Sequence, residues 1–398
     1  MVCFVYDMAY PAHLRTWIEI DRRALRHNTE QFLNIIPRDA RFMAVVKSNA
    51  YGHGLVHVAK ALCTMFGGST SKHTSKHWFG VDSIVEALVL RREGIKNPIL
   101  VLGYTLPGRI PEAAVGDSTL TVSSFEALRM LAAAPKRPSF HIKIDTGMHR
   151  QGFLSGDIFK LLRMLKRFKL SPQGVYTHFA SAKDPENPNY TLAQLVCFRD
   201  VISTFERAGF HGLIRHAAAS GGTLLFPESH FDMVRVGMGM YGYWPSSESK
   251  ISFLTREFKN KKFKSLKPVL TWKTIVSEVK EIPAGSYVGY DGTERVTKPT
   301  KIAVLPIGYW HGFDRGLSSI GEVLIREGRC RVLGRVSMDM TVVDATDIPH
   351  VRAGDEAVLI GRQRKGAIGA DETAEKIMTT PYEFLTRLNP LIERIIKG

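Results

Sequence analysis

Ala44-Val45-Val46-Lys47-Ser48-Asn49-Ala50-Tyr51-Gly52-His53-Gly54 begins as an apolar run, stops at a lysine and passes through two glycines. It leads into Leu55–Met65, where apolar residues recur three and four apart. A short apolar run followed by a 3.6-residue period reads as strand, loop and helix. The same unit recurs outward from this stretch. Strand-like runs fall at Phe42–Lys47, Trp78–Asp82, Ile99–Gly103, Thr119–Val122, Phe140–Asp145, Gly174–His178, Leu213–His216 and Met233–Gly237. Helical patterns at Leu55–Met65, Ile84–Arg92, Phe125–Ala133, Ile158–Phe168 and Leu192–Ala208 lie between them. This alternation marks a parallel sheet with crossover helices, and about eight units fit a (β/α)8 barrel of TIM type better than an open doubly wound sheet.

After about Ser246 the texture changes. Alternating runs at Thr271–Val279, Ile302–Pro306, Val323–Arg326, Cys330–Leu333 and Ala357–Ile360 are separated by Gly and Pro turns, and short helical patterns follow at Thr373–Met378 and Tyr382–Leu388. The expected class is therefore α/β, with a barrel over residues 22–250 and a mainly β domain over 251–398. The segment 1–21 is expected to pack with the second domain. Gly67–Lys76, rich in Gly, Ser, Thr, His and Lys, reads as a mobile surface loop.

Composition supports a globular protein. The 398 residues are 44% hydrophobic and 23% charged, enough for two domains with a core in each. No apolar run approaches the roughly 20 residues that cross a bilayer. Met1–Asp7 lacks a basic leader and is interrupted by Asp7, which points to a cytoplasmic protein. The four cysteines, Cys3, Cys63, Cys197 and Cys330, are far apart and show no metal-binding spacing. A net charge of +16 raises the question of a nucleic-acid partner. The basic runs Lys160 to Lys169 and Lys259 to Lys267 lack interleaved stacking aromatics, so a solvated basic face is the expected reading, with no nucleic acid and no membrane as partner.

In a barrel, active sites lie at the C-terminal ends of the strands, where Lys47, Asp145, His178 and Ser220 all fall. A lysine in that cleft has its amine desolvated and suited to Schiff-base chemistry; equally, a rim lysine snorkels to water. Spacing alone leaves both open. Gly237-Met238-Gly239-Met240-Tyr241-Gly242 fits G-x-G-x-x-G but closes a barrel rather than opening a strand–turn–helix unit, so it is not read as a dinucleotide site.

The stretch from Ala44 to Gly54 closely resembles the cofactor-attachment motif of alanine racemases, a pyridoxal 5′-phosphate (PLP) family. Similarity continues at His141–Arg150, Tyr176–Ala180, Phe226–Tyr241, Pro306–Tyr309 and Gly334–Met340. The resemblance implies an isomerase that interconverts L- and D-alanine and supplies D-alanine for peptidoglycan. It implies PLP carried on Lys47, its phosphate held by Tyr51, Ser220 and the amides of Gly237 and Met238, with His178 at the cofactor and Arg235 facing its ring nitrogen. Racemisation needs a proton carrier on each face of Cα, because one base would return the proton to the side it came from. By resemblance Lys47 and Tyr290 are that pair, with Arg150 and His178 lowering the tyrosine's pKa. Arg150 and the amide of Met338 are the implied contacts of the substrate carboxylate, and Lys143 matches a lysine often carbamylated. No metal is implied. A head-to-tail homodimer is, with each site shared between subunits.

Four positions depart from the family pattern: Ala219 for an asparagine, Ser337 for a cysteine, Lys183 near an entryway aspartate, and Pro390 where a phosphate-gripping tyrosine is common. They touch cofactor affinity and substrate width, and keep a serine or broad-spectrum amino-acid racemase as the alternative. A PLP decarboxylase would carry a Gly-Gly-Gly loop and a glutamate at the ring nitrogen, and a single-domain PLP-homeostasis protein would end with the barrel.

Overall fold

A computed structural model describes residues 14–67, 76–255 and 263–398. The loop reading at Gly67–Lys76 falls, but for its two end residues, outside them. So do the Met1–Asp7 segment, Cys3 and part of the Lys259–Lys267 run. The described residues form two compact units: one within Arg23–Ala50 and Leu55–Lys267, the other of residues 14–22, Tyr51–Gly54 and Pro268–Gly398. The sequence texture places its change at 250/251. The helix Ser247–Thr255, however, lies on the barrel side of the division at Lys267/Pro268.

The first unit is an eight-stranded parallel barrel. Its strands are Arg41–Val45, His77–Val81, Ile99–Val101, Thr119–Val122, Phe140–Asp145, Gly174–Tyr176, Ile214–His216 and Met233–Val236, each beside the next. The eighth pairs with the first, Val234 opposite Phe42, and a bridge from Ala219 to Arg235 links the seventh and eighth strand regions. A two-residue strand, Phe153–Leu154, adds to the fifth. Helices end where caps meet their exposed amides. At the start of Ile84–Arg92, Ser83 caps by accepting from the Glu86 amide, while the Glu86 carboxylate accepts from Asp82 N, one residue before the cap, at 2.8 Å.

Every residue of Phe140–Asp145 is buried, as a strand covered by helices on one face and facing the barrel interior on the other requires. Its polar residues His141, Lys143 and Asp145 occupy one parity. Opposite them Gly174 has no room for a side chain. A Cβ there would lie 2.6 Å from Ile214 O and 2.7 Å from the His141 ring.

The second unit holds two larger sheets. In the first, Thr16–Asp21 pairs antiparallel with Leu270–Ile275 and parallel with Glu393–Lys397, while Leu270–Ile275 continues to Glu356–Gln363. In the second, Thr300–Leu305 lies between Glu278–Ile282 and Thr341–Asp344. The single strand expected at Thr271–Val279 is thus two strands in different sheets. The chain changes sheet where Val276 N donates to Asp355 O and Ser277 N to Val304 O, 2.8 Å each.

Gly174→Ala is expected to lower barrel stability by about 1–3 kcal/mol, because the His141 ring and the Ile214 backbone it would strike are both buried and fixed. Urea denaturation checks this; a loss below about 0.5 kcal/mol would show that the interior relaxes freely.

Candidate active site

Lys47 does not close its strand. The strand ends at Val45, and Ser48, Asn49, Ala50 and Tyr51 follow in left-handed conformation, φ 53–55°. Each such residue costs roughly 1–2 kcal/mol outside glycine, so a run of four needs external support. Ala50 N donates to Val46 O (2.8 Å), Asn49 N to the Glu86 carboxylate (3.3 Å), and the Asn49 amide oxygen accepts from Leu55 N (2.9 Å). Lys47 Nζ lies 3.9 Å from Asp82, both side chains well exposed, so the pair contributes little.

Arg235 is only 3% exposed and its donors meet neutral acceptors. Nη2 donates to Thr177 O and Ala217 O at 2.8 Å and to His178 Nδ1 at 3.1 Å; Nη1 donates to His216 Nδ1 at 2.9 Å. A guanidinium only donates, so His216 carries its proton on Nε2, which then donates to His141 Nδ1 at 2.8 Å. Tyr176 stacks on His216 with centroids 4.6 Å apart, and its hydroxyl meets Thr121 Oγ1 at 2.9 Å. Burial lowers the Arg235 pKa to about 10. It pushes His141 down to about 3, aided by the charges of Arg235 and Arg41, while hydrogen bonding of the imidazole to Gln173 opposes. His178 lies well below its ordinary value through burial, then through Arg235, Lys143, Arg150 and Lys47. It is therefore neutral, and of the two groups expected to assist Tyr290 only Arg150 carries charge.

The same cations bear on Lys143. Burial, then Arg150, Arg235 and Lys47, lower its amine to about 8, with Asp145 opposing, and Nζ donates to Gln151 at 3.1 Å. Arg150 is placed by its backbone. Asp145 accepts from the amides of Gly147, His149 and Arg150, all at 3.0 Å, which outweighs the rise that burial alone would give its carboxyl. Ser220 opens the helix Ser220–Leu225, and its Oγ accepts from Gly237 N at 3.1 Å and Gly239 N at 3.3 Å. Thus Lys47, Lys143, Arg150, His178 and Arg235 form one electrostatic cluster, with Ser220, Gly237 and Met238 at the neighbouring strand ends.

The remaining expected residues belong to the other unit. Tyr290 starts a short turn, Tyr290–Gly292, after Gly289 at φ 78°, and is 68% exposed. Met338 is 55% exposed; its carbonyl and that of Ser337 accept from Trp310 N and Tyr309 N, both 3.0 Å, in a turn that only Gly308 can approach so closely. Tyr51 packs edge-on against Tyr382, with centroids 6.2 Å apart. His141, His216, Tyr176 and Gln151 were not singled out from the sequence. The signal that could have found the first was the His-x-Lys-x-Asp parity in a fully buried strand.

The donor set suits an anionic cofactor with an aldehyde. A partly exposed lysine, a buried guanidinium without a carboxylate, and glycine amides converging on a serine hydroxyl are what a phosphate and an imine-forming carbonyl require.

Comparison with known proteins follows the division of the chain. The family described as "Alanine racemase, N-terminal domain" matches residues 20–245, and "Alanine racemase, C-terminal domain" matches 269–396. An alanine racemase of Leptospira interrogans is 38% identical over 96% of this chain and 95% of its own length, and one of Carboxydothermus hydrogenoformans is 38% identical over 95% and 98%. Among solved structures, alanine racemase from Bacillus anthracis with bound L-Ala-P superposes with a TM-score of 0.86 at 34% identity, covering 98% of this chain and 96% of that one. One from Bartonella henselae with covalently bound pyridoxal phosphate gives 0.81 at 26%, over 96% and 100%. No helix among the described residues is long and apolar enough to cross a membrane.

The buried histidines make stability depend on pH with a definite sign. His141 titrates near 6.5 when unfolded and near 3 when folded, so its contribution is intact above about 6.5 and is lost as pH falls toward 3. His141→Gln, which keeps an acceptor for His216, is expected to flatten the acid limb of the stability–pH curve by up to one proton, about 1.4 kcal/mol per pH unit. An unchanged slope between pH 6 and 4, measured by urea titration at about these values, would place the proton uptake elsewhere.

Proposed function

The chain belongs to the alanine racemase family of isomerases, and on that premise we propose that it interconverts L- and D-alanine with PLP carried on Lys47. The observation that carries the assignment of residues is the buried, carboxylate-free Arg235 among neutral acceptors at the strand ends, next to Ser220 and the Gly237 and Gly239 amides. The covalently bound pyridoxal phosphate of the Bartonella henselae relative supports the same cofactor here.

When bound, PLP supplies the electron sink that makes the substrate Cα–H acidic. The protein's own residues do the rest. Lys47 anchors the cofactor and carries a proton on the D-face of Cα, and Tyr290 carries one on the L-face. Tyr51, Ser220 and the amides of Gly237 and Met238 hold the phosphate. Arg235 faces the ring nitrogen, and because it stays charged and cannot hand over a proton it limits how much charge the ring absorbs, disfavouring transamination. His178 stays neutral beside it. Arg150, a planar charged donor, and the Met338 amide take the substrate carboxylate. Lys143, lowered to about 8, has a larger unprotonated fraction than a surface lysine and is suited to carbamylation, which would turn a cation that repels Arg150 into an anion that holds it.

The working unit is a homodimer in which Lys47, Arg150 and Arg235 of one subunit act with Tyr290 and Met338 of the other. The exposure of both latter residues in the single chain supports this. The product D-alanine would serve peptidoglycan synthesis in the cytoplasm.

The purified protein is expected to be yellow, and borohydride should fix the cofactor to Lys47 on peptide mapping; label on any other lysine would refute the assignment. Lys47→Ala should reduce kcat by roughly three orders of magnitude or more, since anchor and proton carrier vanish together. Mixing Lys47→Ala with Tyr290→Phe under conditions of subunit exchange should restore activity, because one site of the mixed dimer is intact. Persistent inactivity after exchange confirmed by mass would show that both groups act within one chain.

A further inference from the structure

Tyr51–Gly54 lies in sequence between the first barrel strand and the helix Leu55–Met65, yet it forms one compact unit with residues 268–398. The structure shows what holds it. Gly52, at φ 84°, has no room for a side chain, since a Cβ would fall inside the contact distance of the Leu385 carbonyl. Its own carbonyl accepts from Arg394 Nε at 3.2 Å and Nη2 at 3.0 Å. Arg394 is 6% exposed; Nη1 donates to Asn389 O at 2.8 Å and also to Ile392 O. Its donors thus meet backbone carbonyls, and burial lowers its pKa to about 10.

Tyr382 and Leu385 lie three residues apart on the helix Pro381–Thr386, hence on one face. Leu385 backs Gly52, and Tyr382 meets the Tyr51 ring edge-on, centroids 6.2 Å apart and planes at 65°. The two phenols are close enough that Tyr382 adds to the effect of burial in raising the Tyr51 pKa, and burial takes Tyr382 to about 12. Both stay protonated at neutral pH. A neutral phenol of fixed direction is a hydrogen-bond donor that an anion meets without charge repulsion.

We propose that Tyr382 is a positioning residue for cofactor binding: its ring, packed against Tyr51 while Leu385 and Arg394 fix Gly52, aims the Tyr51 phenol at the phosphate of PLP. This rests on the reading of Tyr51 as a phosphate contact. With the ring removed, Tyr51 keeps its hydroxyl but loses its direction, so the loss falls on the phosphate and not on the rest of the cofactor.

The test compares PLP with pyridoxal, which lacks the phosphate, by titrating each into full-length apoprotein and following visible absorbance. Tyr382→Leu keeps apolar bulk at a position still 37% exposed and is expected to weaken PLP about 10-fold while leaving pyridoxal within about twofold. Tyr382→Phe retains the ring and is expected to bind PLP like the parent. The proposal is overturned if Tyr382→Leu loses nothing, loses both ligands equally, or is matched in its loss by Tyr382→Phe. Tyr51→Phe separates the premise. If it shows no phosphate-specific loss, the reading of Tyr51 falls and the proposal with it; if it does while Tyr382→Leu does not, only the positioning role falls.

Discussion

A buried guanidinium is tolerated only when its donors are met, and at Arg235 they are met by two backbone carbonyls and two imidazole nitrogens. That choice of neutral partners organises the barrel interior. It assigns the protons of His216 and His141 in turn, sets Tyr176 against His216, and leaves Gly174 as the residue that can face the His141 ring. A carboxylate partner would have neutralised the charge at its source. Without one the positive potential extends to the strand ends, where it adds to burial, and to Arg150 and Lys47, in keeping His178 neutral and lowering Lys143. The site is built for an anion before any anion is considered.

The barrel was legible because both faces of its strands are buried. Thr119–Val122 and Phe140–Asp145 read as continuous polar-tolerant or apolar runs between helices, and their observed bounds are those expected. The helices Leu55–Met65, Ile84–Arg92 and Phe125–Ala133 agree residue for residue, since each shows the 3.6-residue period without an internal Gly or Pro. The β half was less legible. In Thr271–Val279 the alternation lapses, as at Ile275-Val276 and Ser277-Glu278, with no Gly or Pro, which is a weak local mark for the point where hydrogen bonding passes from Asp355 to Val304 and the chain leaves one sheet for another. That break is set by partners some 80 and 30 residues away.

At the site, residue types at strand ends were readable and backbone conformation was not. A left-handed run normally announces itself through glycine, but Ser48, Asn49, Ala50 and Tyr51 contain one tolerant residue, Asn49, which is tied to Glu86 and Leu55, while Ala50 N donates to Val46 O. The neutrality of His178 likewise comes first from burial and then from four cations contributed by separate strands and loops, a sum that no window of sequence contains.

The strand Thr16–Asp21 sits between Leu270–Ile275 and Glu393–Lys397, so early residues are completed by late ones. During synthesis this strand leaves the ribosome long before either neighbour exists, a wait on the order of 10 to 70 seconds at ordinary elongation rates. Its unpaired edges, with Trp17, Ile18 and Ile20 as the apolar side chains that end up buried, are meanwhile a template for wrong pairing. The barrel, wholly encoded between these partners, can fold as an insertion during that interval, whereas the β unit matures only after the last strand is released. Chaperone dependence and the aggregation of truncated nascent chains should therefore trace to the strands of the β unit rather than to the barrel.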